Sequence, residues 1–163
     1  MNIIKKYFYI CGDIDDTLTS NFLNFYNSLN YETDEAIIYV SSDGGYYSCA
    51  QIIIDVINKS QVKTTLIASD RICSSAFILF YFSKCEIKIL NGTYGMIHEI
   101  SAEFEYRDNF TDENVIRKKQ LKSMNDSLIK QLNCYFSKKE LEMFKHGEDI
   151  FLDCKRLKHI LSR

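Results

Sequence analysis

Val62-Lys63-Thr64-Thr65-Leu66-Ile67-Ala68-Ser69-Asp70-Arg71-Ile72-Cys73-Ser74-Ser75-Ala76-Phe77-Ile78-Leu79 is the stretch whose reading decides the fold. Val62 to Ala68 is a short run of β-branched and apolar residues, which predicts a strand. Ser69-Asp70-Arg71 is polar and predicts a turn. Ala76 to Phe82 is the longest apolar run in the chain, far short of the ~20 residues a membrane span needs. Cys73 therefore falls at a strand-to-helix corner. The positive end of the helix dipole there favours a thiolate over a thiol, and a sharp turn exposes the residue that makes it.

The same alternation runs outward in both directions. Lys6 to Cys11 reads as a buried strand, followed by Leu18, Phe22, Tyr26 and Leu29 at helical spacing. Ala36 to Val40 is apolar throughout, as a parallel strand covered on both faces should be, and it leads into Asp43-Gly44-Gly45. Ile52, Ile53, Val56 and Ile57 mark the stripe of the next helix. Glu86 to Leu90 and Tyr94 to His98 are short strands joined by Asn91-Gly92-Thr93. Ile100, Ala102, Phe104 and Tyr106 alternate with polar residues up to Arg107, which predicts a half-buried strand. A long helix follows from about Asp112, with Val115, Ile116, Leu121, Met124, Leu128, Ile129 and Leu132 on its apolar positions. Ser137 and Glu140 form a capping box for a last helix that Gly147 ends. Alternating strands and helices predict an α/β fold built from crossover units.

At 163 residues and 46% hydrophobic content, one domain over residues 1–163 is expected. The net charge of −2, from 22 acidic and 20 basic residues spread along the chain, leaves no basic footprint for nucleic acid or an anionic bilayer. Six cysteines (Cys11, Cys49, Cys73, Cys85, Cys134, Cys154) show neither a Cys-x-x-Cys pair nor zinc-finger spacing, so no disulfide framework and no metal site is expected. The apolar stretch after Lys5 and Lys6 is too short for a signal sequence. A cytoplasmic protein without a membrane partner is the expectation.

Three segments carry chemistry in one order: Ser41-Ser42-Asp43-Gly44-Gly45, then Cys73-Ser74-Ser75-Ala76-Phe77, then Gly95-Met96-Ile97-His98. A base 25 residues after a nucleophile, with a glycine corner 28 residues before it, is the layout of a proteolytic site assembled by folding. With Gly12-Asp13-Ile14-Asp15 before them and Asp149-Ile150-Phe151-Leu152 after, these segments resemble the Clp protease proteolytic subunit (ClpP) family over nearly the whole chain. The resemblance implies a crotonase-like superhelical α/β fold whose strand and helix over about 100–134 form a projecting handle. It also implies a triad of Cys73 as nucleophile, His98 as general base and Asp149 as the group that orients it. The N–H groups of Gly45 and Ser74 would be the oxyanion donors. No cofactor is implied.

The departures are local. Cys73 stands where the family has Ser; a one-residue shift makes Ser74 the alternative nucleophile and turns the side chain by ~100° around the helix. Asp43 replaces the family's Pro and brings a carboxylate near the oxyanion, and Glu99-Ile100 replace Gln-Pro after the base. The implied function is an endopeptidase subunit acting on unfolded polypeptides or peptides through an acyl-enzyme, within a homo-oligomeric ring fed by an AAA+ unfoldase. The chain begins just before Gly12, so the family's axial hairpin, which contacts that unfoldase, is expected to be nearly absent. A catalytically silent ring subunit is the alternative reading. An acyl-CoA-handling crotonase is a more distant one, giving no reason for the nucleophile-to-His layout.

Overall fold

The structure, a computed structural model, describes residues 3–101 and 112–162. Two units make up the chain, Met1–Ile97 with Phe151–Arg163, and His98–Ile150. The first is built on β2 (Asp34–Gly45) and β3 (Lys63–Cys73), which pair in parallel. Their apolar runs arise because each has a strand on both sides and Ala36, Ile38, Val40, Leu66, Ala68 and Ile72 are fully buried. α1 (Asp16–Asn27), α2 (Tyr47–Lys59) and α3 (Ser75–Phe82) complete this core. α3 is buried from Ser75 to Tyr81, as a helix apolar all round must be.

Among the described residues β1 (Ile4–Ile14) pairs only with β2 and lies at the sheet edge. It is not the buried strand its composition predicts: Tyr7 and Tyr9 are 51% and 60% exposed, and only Ile10 and Ile14 are buried. The α2 stripe is Cys49, Ala50, Ile53, Ile54 and Ile57, whereas Ile52 faces out.

The expected turn at Ser69-Asp70-Arg71 is absent. β3 runs through it to Cys73, and Asp70, at φ +65°, sits beside the register shift opposite Val40 and Ser42 of β2. β4 (Glu86–Ile89) and β5 (Tyr94–Ile97) are not a hairpin: both pair in parallel with β3, at Thr65–Ala68 and at Arg71–Cys73 in turn. β6 (Ile150–Leu152) follows β5 in the sheet. Asp153 caps α6 (Cys154–Leu161) by accepting from the Arg156 N–H at 2.7 Å. The helix ended by Gly147 is thus not the last, since α6 buries Leu157, Ile160 and Leu161.

In the second unit, α4 (Asp112–Leu132) buries Leu128 and Leu132, while Val115 and Ile116 remain exposed. Ser137 and Glu140 form the expected capping box of α5 (Lys138–Lys145), and Gly147 at φ +72° turns the chain away after it. The expected strand Ile100–Arg107 falls mostly outside the described residues. No helix among the described residues is long and apolar enough to cross a membrane.

Candidate active site

The corner between β3 and α3 is made by Ser74, the N-cap of α3, at φ +51° and ψ −121°. Residues with a side chain rarely adopt that backbone, and holding one there costs of order 1–3 kcal/mol. Cys73, read from sequence as the residue on the turn, ends the strand opposite Met96 and is only 3% exposed; Ser74 is half-buried. The corner comes one residue later than expected because β3 continues through Ser69-Asp70-Arg71. The Ser74 N–H, expected to face an oxyanion, donates to the Met96 carbonyl at 2.8 Å. Ser75 is next in line, at the first position of the helix.

Two glycines end β2, and they differ in what they meet. A Cβ on Gly44, at φ +110°, would lie 2.8 Å from Ser74 Cβ and 2.9 Å from the Cys73 carbonyl. One on Gly45, at φ +143°, would lie 2.4 Å from the Ile14 carbonyl. Gly44 is therefore the glycine that faces the Ser74 corner, and Gly45 lies against β1. Ser42, fully buried, fixes this turn: its Oγ donates to the Gly12 carbonyl at 2.5 Å and accepts from the Gly44 N–H at 3.0 Å. Sequence reasoning passed over Ser42, although a serine two residues before a glycine is a recognisable turn signal.

Asp43 is not a loose carboxylate beside this corner. Arg71 Nε donates to it at 2.7 Å and Arg71 Nη1 donates to Asp70 at 2.5 Å. The hydrogen bond to Asp43, then that to Asp70, hold the guanidinium protonated well above its ordinary range. Arg71 ties the end of β2 to the end of β3 and offsets part of the acidic charge that Asp43 and Asp70 bring there.

Within the second unit, His98 Nδ1 lies 3.3 Å from Asp149 Oδ1, with both side chains part exposed. The Gly147 turn delivers Asp149, two residues on, to this contact. A carboxylate on Nδ1 selects the Nδ1–H tautomer, in which Nε2 is the basic nitrogen. The sequence expectation of a His98–Asp149 partnership corresponds to this contact, whereas His146 and His159 are exposed. Among the described residues no three His, Cys, Asp or Glu side chains gather closely enough to hold a metal ion. None of the six cysteines is in a disulfide, and burial pushes the Cys85 thiol up to about 11.

No protein-family model and no curated protein matches this sequence. Among solved structures, a mutant of ClpP1 from Listeria monocytogenes matches with a TM-score of 0.66. The match covers 94% of this chain and 86% of that one at 18% identity. The fold is ClpP-like. A ClpP-like backbone at such low identity means that the α/β architecture expected from the ordered segments is present, while the chemistry must be argued from this chain's own residues.

Proposed function

We propose that this chain is a Clp-type peptidase subunit that cleaves peptide bonds through an acyl-enzyme, with Ser74 as nucleophile, His98 as general base and Asp149 orienting His98. The observation that carries this reading is the Ser74 corner: a non-glycine residue held in a strained turn, with a glycine packed against it, in a ClpP-like fold. The burial of Cys73 at the end of β3 speaks for Ser74 as the nucleophile and leaves Cys73 as the alternative.

Ser74 Oγ attacks the carbonyl carbon of the scissile bond as its proton passes to His98 Nε2. The Asp149 carboxylate stabilises the imidazolium. The carbonyl oxygen becomes an oxyanion, for which the helix-start N–H of Ser75 and the Gly45 N–H are the donors on offer, the Gly44 N–H being taken up by Ser42. Collapse breaks the C–N bond, His98 protonates the departing amine, and water then hydrolyses the Ser74 ester by the reverse proton path. Asp43, counted from sequence as unfavourable to an oxyanion, shares the Arg71 guanidinium with Asp70, which weakens one argument for a silent subunit. A single functional domain, ring assembly, polypeptide substrates and an unfoldase partner belong to this reading as what a ClpP-like fold suggests.

Hydrolysis of a fluorogenic peptide by the purified chain tests it. Ser74→Ala and His98→Ala should each remove activity by about 10⁴-fold or more, while Cys73→Ala retains most of it. Loss in Cys73→Ala with activity kept in Ser74→Ala would return the nucleophile to Cys73. A wild-type chain without turnover, and without labelling of Ser74 or Cys73 by a mechanism-based acylating probe, would leave the silent ring subunit in its place.

A further inference from the structure

Asn125 interrupts the apolar side of α4, between Leu121 and Leu128, and is 4% exposed. A polar amide at such a position costs roughly 1–3 kcal/mol unless its hydrogen bonds are made. Here they are made in a specific way. Oδ1 accepts from the Ile100 N–H at 2.9 Å, Nδ2 donates to the Ile100 carbonyl at 2.9 Å, and Nδ2 also donates to Glu99 Oε1 at 3.1 Å. The planar amide grips the Ile100 peptide as a neighbouring β-strand would, with donor and acceptor side by side. Asp would lose the donor, Leu would lose both groups, and only the amide answers all three partners.

The gripped segment directly follows His98, whose ring is held from its other end by Asp149 at 3.3 Å. The geometry points to Asn125 as the positioning residue of the His98–Asp149 pair: it fixes the main chain of Ile100, two residues beyond His98, and the side chain of Glu99 between them, so that the ring meets Asp149 through Nδ1. This inference rests on the reading of His98 as a general base. A purely structural amide would need only to satisfy its own burial; this one spends all three bonds on the two residues after the base. The signal was present in the sequence as a single polar residue on an apolar stripe.

The test reads the His98 ring directly, without turnover. In the full chain labelled with ¹⁵N-histidine, imidazole ¹⁵N shifts report which ring nitrogen carries the proton, and exposed His146 and His159 serve as internal controls. Wild type should show His98 as the Nδ1–H tautomer. Asn125→Asp and Asp149→Asn should each convert it to a tautomer mixture without moving the controls, and the double variant should go no further than either. Should Asn125→Asp fail to fold, Asn125→Leu, which leaves no like charge beside Glu99, reads the same ring. In the peptidase assay Asn125→Asp should lower kcat by about 10–100-fold with KM within about twofold, since small misplacements of a catalytic group cost that much. Adding Glu99→Gln, which restores a donor opposite the new carboxylate, should recover part of the loss. A wild-type His98 already in mixed tautomers, an unchanged His98 ring in the Asn125 variants, or equal movement of His146 and His159 would overturn the positioning role. A chain without turnover whose His98 ring nonetheless responds as expected would sink the peptidase reading and keep this one.

Discussion

The ends of β2 and β3 face the same problem and solve it with different residues. β2 ends in Gly44 and Gly45 at φ +110° and +143°, a backbone that glycine adopts at little cost. β3 reaches its corner with Asp70 at φ +65° and Ser74 at φ +51°, both carrying side chains. Where a backbone only has to approach closely, glycine serves; where a functional group has to be presented, strain is accepted. Asp70 belongs to the same pattern, because its carboxylate takes a hydrogen bond from Arg71, whose Nε also holds Asp43 at the end of β2.

The comparison breaks most severely at Ser74→Gly. If the corner is strained for function, glycine there should abolish peptide hydrolysis yet stabilise the fold by about 1 kcal/mol, read as a higher urea midpoint. A lower midpoint would mean that the corner stores no strain. Gly44→Ala should do the reverse on stability, losing about 3 kcal/mol or more, because its methyl meets Ser74 Cβ at 2.8 Å and the Cys73 carbonyl at 2.9 Å while φ stays positive. Activity should fall with it. A Gly44→Ala protein as stable as wild type would show that the two strand ends do not press on one another.

Smaller effects sharpen the picture. Arg71→Gln frees the Asp43 carboxylate, and kcat should fall on the order of threefold, as expected for an exposed ion pair. Added salt should lessen the loss, and Asp43→Asn in the same chain should reverse it; an unaffected kcat would confine Arg71 to tying the strands. The weakest effect is alkaline. The Cys85 thiol is raised from an ordinary 9.0 to about 11 by burial, so the folded state holds its proton longer than the unfolded state does. Stability is full below pH ~9 and declines as pH rises from there through about 11. Cys85→Ala should flatten that decline in urea titrations across this range; an unchanged slope would assign the alkaline loss to other groups.

Much of this was legible without coordinates. Local signals act over a few residues, so Ser137 with Glu140, Gly147 and the helical spacing of Phe22 and Tyr26 were each readable from their neighbours. The apolar run of β2 also declared itself, because burial on both faces leaves no polar alternation. The partnership of His98 with Asp149 came from the order of the segments and the family they resemble, and the two side chains meet at 3.3 Å. β1 misled because an edge strand and a central one can share a composition, and which it is depends on what lies beside it.

By itself, then, the sequence determined the alternating α/β order, the helix caps, the central strands and the residue types available for acyl-transfer chemistry. Only the tertiary structure decided which residue makes the corner, which glycine faces it and why an asparagine sits in an apolar stripe. The physical reason is that a strand ends where its partners stop pairing with it, not where local propensity weakens. β3 continues to Cys73 because Ser42 and Met96, distant in sequence, lie alongside, and the turn passes to Ser74.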